Sequence, residues 1–450
     1  MEFMRLILRA SLLLALTFLS LPMTQSQGRS DIPRGVPIAT ESVPVFSDST
    51  LSAFINVHYR IPQEFFIYTR SDDGRRFIAE GEVLVELVDS ENTSVARQIQ
   101  SIDEIRSSPP SDPATLPDVQ RAVSLSAPPG SYSVRVTVDD RGSGRTFSAK
   151  EQKVRWDRPK KDSTEAVFLF FAQPVEGSND TAAYKIFNRG NDVLFGSPKG
   201  SGALLEVYAP GDSDLIRVEW HLNSTPEPGP PPQDWSGSDN ISYRGAPVLA
   251  ETGEAIVYRI APMPASPWRT VFVPLPLELL FPGKAELLID VTCGVQKRKV
   301  TAPFLVRWVG EPFSLRNLSL AVDALQFIVP SEELDRLYST SQSQRARNLN
   351  AFWRSRDPDT TTAYNEAMAE YYRRVDVAIR RYSSADNMDG YKTDMGRIFI
   401  LFGSPQRSER LLGPGDVPRE IWTYALAKRR FVFSDLRKNG TYVLTASETL

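Results

Sequence analysis

The chain has 450 residues, 41% of them hydrophobic and 24% charged. That is enough apolar material for roughly two to four domains of about 100–200 residues each. The formal net charge of −3 excludes a global field that would steer the protein to nucleic acid or an anionic surface. Basic clusters at Lys160–Lys161, Lys297–Lys299 and Lys428–Arg430 are short and flank predicted strands, as solvated strand ends do.

The N-terminus has the order of a secretory signal peptide. Arg5 and Arg9 precede an apolar stretch from Ala10 to Leu21, Pro22 ends it, and the polar run Thr24-Gln25-Ser26-Gln27 follows. The apolar stretch is shorter than the ~20 residues a membrane span needs. Residues 1–26 are therefore predicted to be a cleaved signal peptide, leaving no transmembrane span. The mature protein is expected outside the bacterial cytoplasm, periplasmic or extracellular. The single cysteine, Cys293, excludes an intrachain disulfide. It lies in a strand-like run and reads as a buried, inert thiol. No cysteine follows the apolar stretch to carry a lipid anchor.

Residues 27–47 are rich in Ser, Pro and Thr, lack periodicity, and read as a flexible lead. From 48 to 158 the pattern is β. Val83, Val85 and Leu87 share one face of an alternating run, and the run from Ser131 to Val138 repeats that alternation after a Pro-Pro-Gly turn. Arg158-Pro159-Lys160-Lys161-Asp162 marks a boundary. A second β region spans 165–309, interrupted by a Pro/Gly/Ser loop from Thr225 to Gly237. Loops of that length are functional or disordered, and the residues do not decide which. Both β regions end in a strand and a tryptophan, Trp156 and Trp308, a shared ending that suggests duplication. Alternation over many short strands predicts two all-β, sandwich-like (Ig-like) domains.

Near 315 the period changes. Ser331 opens one predicted helix, and Ser341 through Gln344 fits a capping box for a second. A third is predicted from Thr361 to Tyr382, with Tyr364, Met368, Tyr371, Val375, Ile379 and Tyr382 on one stripe. Four strand-like runs follow: Gly396–Phe402, Glu420–Tyr424, Arg430–Phe433 and Thr441–Thr445. Helices followed by strands predict an α+β domain over 315–450, its helices packed on a small antiparallel sheet.

This last region contains Gly390-Tyr391-Lys392-Thr393-Asp394, then Gly396-Arg397, Gly403-Ser404-Pro405, Trp422-Thr423-Tyr424 and Phe431-Val432-Phe433. Upstream stands Phe352-Trp353-Arg354. The ordered series resembles the GWxTD domain over about 330–447. Tyr391 departs from it, standing where the family's name has tryptophan, so packing there is expected to survive without an indole N–H. The resemblance implies an exported bacterial protein with β-rich regions upstream and transfers no catalytic residue. The order of helices, Gly-Pro turn and aromatic strands is also similar to small envelope lipoproteins that assist outer-membrane assembly, which are binding modules.

Read as residues, Gly390, Gly396 and Gly403 are expected where φ is positive or backbones pass closely, and Pro405 in the turn after them. Thr393 and Asp394 are expected to bond nearby backbone N–H groups and fix a turn into the Gly396–Phe402 strand, with Arg397 pairing Asp394 across it. Trp422 and Tyr424 are expected to pack the sheet against the helices, their polar tips needing partners.

Signals of catalysis or metal binding fail. The two histidines, His58 and His221, fall in predicted strands of different domains, which argues against a Ser-His-Asp triad or a zinc site. Gly211-Asp212-Ser213-Asp214 resembles the start of a serine-hydrolase block but has no suitably placed later histidine. Asp357, Asp359 and Thr361 have calcium-loop spacing, but Thr362 and Met368 stand where glycine and the bidentate acid are needed. No metal and no cofactor is expected. The reading is an exported, non-enzymatic envelope protein that binds an unknown envelope protein or surface polymer. The rivals are a carboxylate-dependent envelope hydrolase, whose paired acids leave no local signature, and a passive spacer.

Overall fold

Among the described residues, strands dominate as far as Arg307, with only short 3-10 turns at Gln63–Phe65 and Leu277–Leu279, and the α-helices lie beyond it. The computed structural model describes residues 38–46, 53–107, 118–160, 162–175, 182–186, 192–209, 216–227, 230–251, 255–338, 341–383, 389–413 and 415–450. The predicted signal peptide and the Gly211–Asp214 segment lie outside the described residues.

Among its described residues the first region has nine strands: β1 (Ala39–Phe46), β2 (Ala53–Ile61), β3 (Thr69–Arg70), β4 (Phe77–Val88), β5 (Ser94–Arg106), β6 (Val119–Ala127), β7 (Gly130–Asp140), β8 (Arg145–Ser148) and β9 (Gln152–Trp156). They form a β1-β2-β6 sheet and a β3-β4-β7-β8 sheet, with β5 on β4 and β9 on β7. Ile55, Val57 and Tyr59 from one sheet meet Val83, Val85, Leu87 and Val136 from the other in a common core. Alternation is the cause: period two sends every second residue of β4 to that core and the glutamates between them outward. The lead expected over 27–47 ends earlier than its composition suggested. Ala39–Phe46 pairs antiparallel along β2, because Val43, Val45 and Phe46 have buried surfaces waiting for them in the fold.

The second region holds β10 (Glu165–Pro174), β11 (Ala183–Ile186), β12 (Val193–Leu194), β13 (Gly202–Tyr208), β14 (Ile216–Pro226), β15 (Gln233–Gly237), β16 (Ile241–Glu251), β17 (Ile256–Pro262), β18 (Trp268–Pro274), β19 (Gly283–Cys293) and β20 (Gln296–Arg307). Six of them close a ring in the order β10-β11-β17-β16-β18-β13, and five make a sheet in the order β12-β20-β19-β14-β15. Phe170, Tyr184, Leu204, Tyr258 and Phe272 of the ring pack together. Their chain neighbours Phe171, Ala203, Leu205, Val271 and Val273 point the other way, onto the five-stranded sheet. Cys293 is buried in that second core. Much of the Thr225–Gly237 loop is a hairpin, with Gln233–Gly237 pairing Trp220–Ser224. Proline density hid a strand whose partner lies only a few residues upstream.

The two β regions share buried surface. Val43, Val45 and Ala122 join the ring's aromatic core. Phe46 stacks on Trp268 with ring centroids 4.2 Å apart, and its N–H donates to Glu206. The tryptophans that end the two regions have different partners. Trp156 meets Phe46 edge-on, whereas Trp308 packs against Phe195 and Tyr364.

Among the described residues five α-helices follow: α1 (Leu318–Asp323), α2 (Ser331–Tyr338), α3 (Gln342–Arg354), α4 (Glu366–Tyr382) and α5 (Asp394–Phe402). Four strands complete the chain: β21 (Arg407–Leu411), β22 (Arg419–Tyr424), β23 (Arg429–Ser434) and β24 (Val443–Thr449), antiparallel in that order. Ser341 caps α3 by accepting from the Gln344 N–H, but the Gln344 amide turns forward to Asn348, so only half of the expected capping box forms. The third predicted helix begins at Glu366 rather than Thr361. Asn365 caps it, and Asp357 through Thr361 are held in side-chain turns instead. Tyr371, Tyr372, Val375 and Ala378 of α4 face a helical core with Phe352 and Trp353. Tyr382 reaches the sheet at Trp422, with centroids 5.6 Å apart.

Gly396–Phe402 is helix, not strand. It fills the space between α4 and the sheet, with Met395, Ile398 and Phe399 against Trp422, Tyr424, Phe431 and Phe433. A helix covered on most sides reads as an unbroken apolar run, and such a run has no period to separate it from a buried strand. The sheet's remaining strand is β21, a polar edge that carries little apolar signal.

Candidate functional site

Gly390 through Arg397 gather around the N-terminus of α5. Thr393 is its N-cap: its hydroxyl oxygen accepts from the Gly396 N–H at 3.0 Å and donates to the Gly390 carbonyl at 2.7 Å. The turn that Thr393 fixes therefore leads into a helix, for which Thr with an acid in the first turn is the expected start. The chain crosses itself closely here. A Cβ on Gly396 would lie 2.0 Å from the Gly390 oxygen, and one on Gly390 2.4 Å from the Ala378 oxygen. Both glycines are thus required by backbone proximity. Gly403 ends the helix at φ 75° and gives its carbonyl to the Tyr424 hydroxyl at 2.9 Å. Pro405 follows half-buried in the turn toward β21.

Asp394 has two partners. Its carboxylate accepts from the Leu444 N–H at 2.8 Å, on the edge strand β24, and from Arg397 at 3.2 Å. The Arg397 pair follows the sequence expectation, as an i,i+3 pair within a helix. The bond to Leu444 spans 50 residues and closes one edge of the sheet. Trp422 donates its indole N–H to Glu420 at 2.8 Å, and Arg410 and Ser408 hold the same buried carboxylate.

Tyr391 is 4% exposed, and its hydroxyl donates to Asp323 at the end of α1. The Tyr338 hydroxyl at 3.0 Å and the Lys392 ammonium at 2.8 Å converge on the same carboxylate. Burial pushes Asp323 up, but the bonds from Lys392, Tyr391 and Tyr338 outweigh it and hold the carboxyl below the ordinary aspartate value. Asp376 of α4 binds the connector from the second β region, accepting from the N–H groups of Phe313 at 2.7 Å and Ser314 at 3.1 Å.

Sequence reasoning grouped Gly390 through Arg397 with Gly403, Trp422 and Tyr424; in the fold the first set forms the start of α5, Gly403 and Tyr424 meet at its other end, and Trp422 packs on the sheet. It missed Asp323, Tyr338, Glu420 and Asp376. An acid 68 residues upstream of its tyrosine leaves no local signal, although Glu420 could have been found as the acid on the Trp422 face of a strand.

These polar groups are consumed within the fold. Two recesses, of about 390 Å³ beside Ala166–Phe168 and Lys299–Pro303 and about 460 Å³ around Asn92, Arg135 and Lys153, lie in the β regions. No motif residue lines either. Among the described residues, no group of three or more His, Cys, Asp or Glu could hold a metal ion. Asp359 of the failed calcium loop pairs with Lys199 at 2.8 Å, across the junction with the second β region. His58 is buried against Tyr258, while His221 lies exposed on β14, so the two histidines stay apart.

Helices packed on a four-stranded antiparallel sheet, joined by a glycine-crowded helix start, define an α+β module of the class that the sequence resembled. Residues 304–448 match the family model of the GWxTD domain, so the C-terminal region is a GWxTD domain. The match begins within β20, upstream of the expected 330, and takes in Trp308 and the connector held by Asp376. No curated protein matches the chain.

Proposed function

We propose that this is an exported bacterial envelope protein, periplasmic or extracellular, that acts as a non-enzymatic binding module. On this reading residues 1–26 are the signal peptide and the two β regions are Ig-like, sandwich-type units that carry the GWxTD domain. The partner lies in the envelope, and neither nucleic acid nor a cofactor takes part. One contrast supports the reading. The motif's polar atoms serve internal hydrogen bonds, whereas the same domain leaves Leu411, Leu412 and Leu436 in solvent. Exposed apolar groups clustered together are a feature of interaction surfaces. No helix among the described residues is long and apolar enough to cross a membrane.

The test is affinity capture from a native envelope fraction, comparing the full chain with a Leu412→Asp/Leu436→Asp variant. Capture by the parent chain and its loss in the variant is the expected result. Equal recovery by both would overturn the assignment to this domain surface. Mass analysis of the exported protein should find cleavage near residues 24–28, and an intact Met1 would remove the export reading.

A further inference from the structure

The C-terminal sheet has an uneven distribution of apolar residues. Leu411, Arg419, Ser434 and Val443 are successive cross-strand partners, so they form one rung across all four strands at one end of the sheet. Cross-strand partners share a face, and this is the face opposite the core that Trp422, Phe431 and Phe433 fill. Leu412 follows the rung on one side, and Leu436 lies in the turn between β23 and β24. The Lys438 ammonium donates to the Gly415 carbonyl at 3.1 Å, which fastens the two hairpin ends side by side.

Turn residues are ordinarily small or polar. Here Leu411, Leu412 and Leu436 are 49%, 68% and 61% exposed. Arg419 is the partner of Leu411 on the rung, Arg437 and Lys438 follow Leu436 in its turn, and Asp416 is the exposed acid of the other turn. Asp435 is buried and serves its own turn, accepting from the Asn439 and Gly440 N–H groups. This end is therefore apolar at its tips and cationic at its rim, on a chain whose overall charge is slightly negative.

We propose that these paired hairpin ends dock on an anionic lipid surface, the leucines entering the headgroup layer while Arg419, Arg437 and Lys438 meet the lipid phosphates. Charge complementarity selects this occupant. A water-filled polar surface would have no use for three leucines, and a neutral one no use for the basic rim. Apolar side chains gain by leaving water, and each cation near an anionic bilayer adds attraction that falls off within a Debye length. The proposal names the partner of the binding module described above and rests on that reading.

Flotation of the full chain with phosphatidylcholine vesicles, with and without phosphatidylglycerol, tests it. Binding should require phosphatidylglycerol and weaken with salt. Leu412→Asp should reduce the partition coefficient about tenfold or more, and Arg437→Glu by about fivefold or more. Both residues are exposed, so circular dichroism and melting should match the parent. No phosphatidylglycerol-dependent flotation, or flotation unchanged in both variants, would overturn the proposal. So would a protein that the parent captures through Leu412 without any vesicle binding. That last outcome would leave the binding-module reading intact and identify its partner as protein rather than lipid.

Discussion

The Tyr391 hydroxyl donates to the Asp323 carboxylate, joining the aromatic position of the GWxTD motif to the end of α1. Tyr391 stands where the family's name has tryptophan, and its hydroxyl finds a carboxylate partner there. Tyr391→Phe should cost the C-terminal domain about 1–2 kcal/mol, because Lys392 and Tyr338 continue to hold the carboxylate. Tyr391→Trp should cost less than the phenylalanine. Denaturant unfolding followed by the fluorescence of Trp353 and Trp422 measures both. A phenylalanine variant as stable as the parent would show that the bond contributes nothing.

Asp323 also sets a pH dependence. Its folded-state value is depressed, so its stabilisation is present above the ordinary aspartate value, 3.8, and is lost as pH falls through the lower folded value. Asp323→Asn should be less stable than the parent at neutral pH, and that difference should shrink below about pH 4. A constant difference across the range would contradict the linkage.

Asp394 separates charge from hydrogen bonding. Asn retains an acceptor for the Leu444 N–H, while Ala does not. Asp394→Ala should cost about 0.5–2 kcal/mol and Asp394→Asn less. Hydrogen exchange at the Leu444 amide should accelerate in the alanine variant alone. A stable Asn variant that loses capture of the proposed partner would mean instead that the carboxylate is part of the binding surface.

Gly396→Ala should be the most damaging small substitution in the motif. Its Cβ would sit 2.0 Å from a backbone oxygen, and backbone cannot swing aside as a side chain can. A loss of about 3 kcal/mol or more, or failure of the domain to fold, is expected. Gly403→Ala, at φ 75° and ψ −156°, a region that glycine alone enters readily, should cost less, about 1–3 kcal/mol. Thermal unfolding of the two variants should rank them in that order.

Glu206 lies fully buried where β1 meets the ring, with the Phe46 N–H on one oxygen and no hydrogen-bond partner on the other. Burial raises its pKa well above 4.5, and the Phe46 bond offsets this only in part. For an acid whose folded value is raised, the fold holds a proton that the unfolded chain releases. Stability therefore falls as pH rises above the ordinary glutamate value. Glu206→Gln keeps an acceptor without that penalty. It should raise the melting temperature at pH 7–8 and flatten its dependence on pH. A variant that melts lower at pH 8 would show that the ionised carboxylate is tolerated there.

Much of this architecture was legible locally. Val83, Val85 and Leu87 declared a half-buried strand because a sheet buries every second residue. Ser331, Ser341 and the stripe through Tyr371 and Val375 declared helices because capping and the 3.6 period are properties of a few consecutive residues. The closely packed glycines and the Arg397 pair were readable for the same reason. Other features depended on surroundings supplied by distant parts of the chain. Ile398 through Phe402 became helix because α4 and the sheet cover that segment on most sides, although the Thr393-Asp394 start and the Gly403 stop were there to be read. Ala39–Phe46 became a strand because β2 offered it an edge. The bonds from Tyr391 to Asp323 and from Leu444 to Asp394 join residues 68 and 50 positions apart. The rung that sets Leu411 beside Val443 exists only once four strands take their register. A sequence determines local preference through neighbouring side chains and backbone dihedrals. Which preferences are overruled, and which surfaces stay in solvent, is decided when the tertiary fold assigns each segment its neighbours.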